Sequence, residues 1–147
     1  MRVSVVIVSY NVREYLNRCL ASLEHQDAEI IVVDNASEDG SQSMVRKSYH
    51  SVKLRENDSN RGFAAACNQG AEMASGEHLF FLNCDAEVLP QTIGTLSAYL
   101  DSHKTVGIAA PRIQNPDGTL QPSLRRFPRP FDQLLKLFKL DRFLRGV

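Results

Sequence analysis

The chain has 147 residues, 43% of them hydrophobic and 23% charged, enough for one domain with a real core. Its formal net charge of zero excludes a general nucleic-acid binder, which would carry a strong basic excess. Three cysteines, an odd number without paired spacing, argue against a disulfide framework or a zinc site and fit a reducing cytoplasm.

Taken in chain order, strand signals alternate with helix signals. Val3–Ser9 is a β-branched run that predicts a strand. Asn11, with Glu14 three residues on, predicts a capping box. The helix behind it keeps apolar spacing at Val12, Leu16, Cys19, Leu20 and Leu23. Glu29–Val33 predicts a second strand that ends at Asp34-Asn35-Ala36-Ser37, with Ser37 or Asp39 capping a helix to about Ser48. Val52–Arg55 predicts a short third strand. Asn60-Arg61-Gly62 predicts a turn into a small-residue helix over Phe63–Ala74. Leu79–Leu82, four large apolar residues in a row, predicts a strand buried on both faces. Pro90 is expected to open a helix to about Ser102, and Val106–Ala110 to form a fifth strand. Asn115-Pro116-Asp117-Gly118 predicts a turn between two short extended pieces. Phe131–Leu144 predicts a final amphipathic helix. From Arg125 onward there are seven basic and two acidic residues, so the tail is basic and the rest acidic.

The alternation predicts an α/β fold, doubly wound around a mostly parallel sheet. In such sheets ligands bind outside the carboxyl ends of the strands. Three strands end in polar residues, at Ser9-Tyr10-Asn11, at Asp34-Asn35 and at Asn83-Cys84-Asp85. Asp34 can accept from the imide N–H of a pyrimidine base, or merely cap a turn. Tyr10 can stack on a base, or lie half-buried as an ordinary aromatic. Asn60-Arg61-Gly62 and the alanines after it can admit a nucleotide to a helix N-terminus, or simply pack tightly. Asn68 can reach a ribose or face solvent. Asp85 is the best metal ligand, because an extended chain would turn Asn83, Asp85 and Glu87 the same way. Such oxygen ligands suit Mg²⁺ or Mn²⁺ carrying phosphates. Cys84 has no histidine partner at a recognisable spacing, which argues against a cysteine nucleophile. No dinucleotide or ATPase glycine loop follows the first strand.

In their order and spacing, Val5–Asn11, Ile31–Ser37, Asn60–Asn68 and Phe81–Asp85 resemble glycosyltransferase family 2. The resemblance covers residues 3–125. Asn83-x-Asp85 looks like the family's Asp-x-Asp motif with Asn in first place. That variant, with Asp34-Asn35-Ala36-Ser37 and Asn115-Pro116-Asp117-Gly118, looks like the rhamnosyltransferase-like branch. The resemblance implies a GT-A fold, a Rossmann-like doubly wound and mostly parallel sheet flanked by helices. It implies that Tyr10, Asn11, Asp34, Arg61, Gly62, Asn68 and Asn83 hold a nucleotide-sugar donor, dTDP-rhamnose or a UDP-sugar. It implies that Asp85 holds Mg²⁺ or Mn²⁺ on the donor diphosphate during inverting transfer to a glycan or lipid-linked acceptor, in cell-wall or polysaccharide biosynthesis.

Members of that branch are roughly twice as long, by resemblance, with the general base in the second half. Asp101, Asp117, Asp132 and Asp141 sit in no such motif, so no catalytic residue is named. Residues 1–125 are expected to form the donor-binding domain, and 126–147 a basic helix. That helix is expected to pack on the domain or on an acceptor-binding part that it leads into, to touch anionic lipid at the inner face of the cell membrane, or to form a homodimer contact. The competing expectation is a module that binds the donor and transfers nothing.

Overall fold

The structure is a computed structural model, and it describes residues 2–123. The chain divides after Pro111 into two compact units. The first holds a sheet of four parallel strands, β1 (Val3–Ser9), β2 (Glu29–Asp34), β3 (Lys53–Glu56) and β4 (His78–Asn83). They lie in the order β3-β2-β1-β4. The helices are α1 (Arg13–Ala21), α2 (Ser41–Ser48), α3 (Phe63–Met73) and α4 (Thr92–Ser102). Among the described residues, no helix is long and apolar enough to cross a membrane.

Side-chain alternation along β1 builds two cores. Val3, Val5 and Ile7 face one way and pack with Leu16, Cys19 and Leu20 of α1, Val45 of α2 and Ile93 of α4. Val6 faces the other way, with Ile31 and Val33 of β2, against Ala66 of α3. Helices thus cover both faces, and the sheet is doubly wound as expected. Gly70 allows α3 its close approach, because a Cβ there would run into Val6 Cγ1. The chain fills β1, β2 and β3 outward, then crosses back to place β4 on the other side of β1. The switch point therefore lies between β1 and β4.

Several expectations are corrected. Leu79–Leu82 does form a parallel strand, but Leu79 and Phe81 stay about half exposed while Phe80 and Leu82 pack inward. A run of apolar residues reports hydrophobicity, not whether a neighbour covers both faces. Val106–Ala110 forms no strand. Gly107 interrupts the run, and Ile108 is 89% exposed. Asn11 does not cap α1. Val12 occupies that position without a side-chain bond, and the Asn11 amide is used elsewhere. Pro90 does not open α4, which begins at Thr92 after a left-handed Gln91. Strand three lies one residue later than expected.

In the second unit, Asn115 N–H donates to Thr119 O at 2.8 Å and Gln114 pairs with Leu120 in antiparallel fashion. The turn expected at Asn115–Gly118 is present, with Gly118 at φ 82°. The basic helix expected over Phe131–Leu144 lies outside the described residues.

Candidate functional site

The strand register decides which loops share an edge. Ser9 pairs with Asp34, and Val8 with Asn83. The chain therefore leaves β1, β2 and β4 side by side, across the switch point. Tyr10-Asn11, Asp34–Ser37 and Asn83–Asp85 occupy this one edge.

The first two of these loops are laced together. Asn11 N–H donates to Ser37 Oγ at 2.9 Å, and Asn11 Oδ1 accepts from Glu38 N–H at 2.8 Å. Asn11 sits at φ 53° and Ala36 at φ 68°. Asn tolerates that left-handed region; Ala does not, and strain of this kind gathers at functional sites. Tyr10 is half exposed beside this lacing.

Asp34 is 1% exposed, and its carboxylate is largely engaged. Oδ1 accepts from Ser37 N–H at 2.8 Å and Gln42 Nε2 at 2.7 Å, while Oδ2 accepts from Ser37 Oγ at 2.6 Å. The turn-capping role weighed in the sequence is thus present. A carboxylate has about four acceptor positions, so one is left.

A further loop, Asn60–Gly62, leads into α3. Gly62, at φ 81°, stands at the α3 N-cap, and its N–H donates to Asn60 Oδ1 at 2.9 Å. Arg61 and Asn68 are exposed, and their side chains make no hydrogen bond among the described residues. The loop meets β2 through Asn35, whose Nδ2 donates to Gly62 O and whose Oδ1 accepts from Arg61 N–H, both at 3.4 Å. Asn35 in turn accepts from Asn57, which also donates to Gln69. The sequence marked Asn35 only as part of the polar ending of β2, and did not single out Asn57 or Gln69. They lie 12 to 22 positions from their bonded partners in the trio, where no local spacing connects them.

At the end of β4 the chain turns, with Ala86 N–H donating to Asn83 O at 3.1 Å. The extended geometry expected for Asn83, Asp85 and Glu87 is therefore corrected. Glu87 is held by Arg18, whose Nε lies 2.8 Å from Glu87 Oε1. Asn83 and Asp85 are exposed, and neither side chain makes a hydrogen bond among the described residues. One carboxylate and one amide oxygen fit a hard divalent cation of the Mg²⁺ type, which binds through few protein ligands and keeps water or phosphate in its shell. Burial and the neighbouring Asp85 push the Cys84 thiol up, which keeps it protonated at neutral pH.

Among the described residues, one group of three ligand-type side chains has metal-compatible spacing, Glu77, His78 and Asp101. It lies at the start of β4, the opposite edge from the loops above. Arg2 already occupies it, donating to Asp101 at 2.8 Å and Glu77 at 3.1 Å. That knot is an ion-pair network, separate from the switch-point edge.

The comparisons with known proteins bear on the family and the fold. The chain is 31% identical over 138 residues to N-acetylglucosaminyl-diphospho-decaprenol L-rhamnosyltransferase of Mycobacterium tuberculosis, a match covering 84% of this chain and 45% of that protein. It is 30% identical over 115 residues to abequosyltransferase RfbV of Salmonella typhimurium, covering 72% and 34%. A crystal structure of S. aureus TarS 1-349 in complex with UDP superposes with a TM-score of 0.65 at 28% identity, covering 71% of this chain and 33% of that one. The fold is the GT-A fold of that neighbour. The chain spans less than half the length of the curated relatives it matches. The profile described as Glycosyl transferase family 2 matches residues 4–146, and the chain belongs to that family.

Proposed function

We propose that this chain is the donor-binding part of an inverting glycosyltransferase that takes its sugar from a nucleoside-diphosphate donor. One observation carries the reading. The register sets Asp34 beside Ser9, and Asn83 beside Val8, so the residues read as base-binding and as diphosphate-binding leave the sheet side by side across the switch point. A UDP-bound structural neighbour supports it.

In this reading the Tyr10 ring stacks on the base. Asp34 offers its remaining acceptor position to the imide N–H, and Asn11 keeps the two loops laced around it. Arg61, Gly62 and Asn68 line the approach of ribose and phosphate to the α3 N-terminus. Asp85, with Asn83, would hold Mg²⁺ or Mn²⁺. When bound, that ion offsets charge on the departing diphosphate. In the transfer an acceptor hydroxyl oxygen bonds to the anomeric carbon from the side opposite the diphosphate, as the bond from carbon to diphosphate oxygen breaks. The hydroxyl proton passes to a base outside the residues assigned here. The sugar donors that fit are dTDP-rhamnose and UDP-sugars, and the acceptors are glycan or lipid-linked, reached from the cytoplasmic face of the membrane.

The test is calorimetry of UDP and dTDP against the 147-residue chain, with and without Mn²⁺. Binding of either that strengthens with Mn²⁺ supports the reading; binding of neither removes it. A second reading, a module that binds donor without transferring sugar, rests on the fact that none of the residues assigned above is a general base. Release of nucleoside diphosphate from a nucleotide sugar, dependent on added acceptor, separates the two.

A further inference from the structure

Asn35, Asn57 and Gln69 are 2%, 8% and 9% exposed, three side-chain amides buried together behind the loop that enters α3. Asn57 Nδ2 donates to Asn35 Oδ1 at 2.9 Å and to Gln69 Oε1 at 2.8 Å, so both its protons are used. Asn35 passes the constraint on through its two bonds to the Arg61 and Gly62 backbone.

Three of the four parts of this assembly are fixed independently. Asn35 N–H donates to Ser9 O at 2.8 Å, continuing the β1–β2 ladder by one residue. Asn57 N–H donates to Asp34 O at 2.9 Å, continuing the β2–β3 ladder likewise. Gln69 rides on α3, whose neighbouring Gly70 lies against Val6 and Val33. The fourth part, the Asn60–Gly62 turn, is exposed and belongs to no strand ladder; it joins α3 at Gly62, whose O accepts from Ala66 N–H at 3.2 Å. The network therefore transmits the rigidity of the sheet to that turn.

Stability alone does not account for the choice of amides. Replacing both partners of a buried hydrogen bond by apolar groups of the same shape is nearly neutral, whereas a half-paired amide is unfavourable. A polar trio has a use where directional bonds must hold one backbone geometry.

We propose that Asn57 and Gln69 are positioning residues, which through Asn35 hold the Asn60-Arg61-Gly62 turn in the geometry that receives the phosphate-bearing donor. The proposal rests on the donor reading above for the identity of that ligand. Neither residue touches the ligand; both act through the turn.

The test uses the whole chain and three variants. Asn57→Asp swaps a donor for an acceptor facing two acceptors. Gln69→Met keeps volume and removes the acceptor. Val45→Ala, in the core on the other sheet face, serves as a control for stability loss. Hydrogen exchange is read at the Arg61, Gly62 and Ala66 amides, each of which donates a bond within or beside the turn. UDP affinity is read by calorimetry with Mn²⁺. Both network variants are expected to speed exchange at these amides and to weaken UDP by about tenfold, the effect of one unmade buried hydrogen bond. Val45→Ala, compared at equal loss of Tm, is expected to do neither. Exchange and affinity indistinguishable from Val45→Ala overturn the proposal, as does faster exchange with unchanged UDP affinity. A wild-type chain that binds no UDP or dTDP overturns the donor reading instead, and exchange alone then decides whether the network holds the turn. If Asn57→Asp fails to fold, Gln69→Met carries the same two readouts.

Discussion

Arg18 on α1 grips Glu87, two residues past Asp85, through its Nε and Nη2 groups. The pair draws Glu87 away from the end of β4 and ties it to the helix across the switch point. Among the described residues, Asp85 is left as the one carboxylate at that end of the strand.

The two acids should therefore behave differently. Asp85→Ala is expected to remove Mn²⁺-dependent UDP binding in calorimetry. Glu87→Gln is expected to leave it within about twofold, because its carboxylate serves Arg18. The Arg18–Glu87 pair is exposed, so its loss should lower stability by less than about 1 kcal/mol. A loss of metal-dependent binding in Glu87→Gln would return Glu87 to the ligand set.

Gly70 tests the packing that sets α3 on the sheet. An alanine Cβ there would overlap Val6 Cγ1 and come within 3.4 Å of Val33 Cγ2. Alanine favours a helix over glycine by about 1 kcal/mol, and overpacking costs about 1–3 kcal/mol. The 2.3 Å approach to Val6 Cγ1 puts the cost at the upper end, so the contact should win, with a net loss of up to about 2 kcal/mol in urea unfolding. A stabilised Gly70→Ala would mean that α3 sits further from β1 than described.

The strand-end triplets were legible in the sequence because each follows a β-branched or apolar run that can only be a strand. The parallel order then brings Asp34 and Asn83 to one edge without further information. The exposed face of β4 was not legible, since Leu79 and Phe81 are as apolar as their partly buried neighbours Phe80 and Leu82. The role of Asn11 was misread for a related reason. Its spacing to Glu14 fits a local cap, but a loop 26 residues away offers its side chain and backbone better partners. Asn57 and Gln69, and the bonds that join them to Asn35, were invisible because polar residues far apart in sequence reveal nothing until the fold joins them.

Glu29 gives a prediction in pH. Burial pushes its carboxyl up, but hydrogen bonds from Lys53, Ser4 and Ser75 outweigh burial and hold it at about 2. A carboxylate with a lowered folded pKa contributes stability that is complete above its unfolded value of 4.5 and lost as pH falls toward 2. Glu29→Gln cannot titrate. The stability difference between wild type and Glu29→Gln, from urea midpoints, should therefore be largest at pH 5 and above and shrink steadily below pH 4.5. A difference constant down to pH 2.5 would show that Glu29 acts by shape and hydrogen bonding alone.

Asp34 separates a structural role from a binding one. Its two oxygens already accept three bonds, two from Ser37 and one from Gln42. Asp34→Ala strands all three donors, and Ser37 also receives the Asn11 N–H. Unfolding should show a loss on the order of 3 kcal/mol. Asp34→Asn is gentler, because the amide oxygen can keep Ser37 N–H and Gln42 while its NH₂ group turns to the Ser37 hydroxyl, which can accept. A loss of about 1 kcal/mol follows. The same variant no longer has a carboxylate position to offer a base, so UDP should bind about tenfold more weakly than this small loss of stability explains. Unchanged affinity in Asp34→Asn would confine Asp34 to the turn and shift base recognition to Tyr10 and the backbone around Ala36.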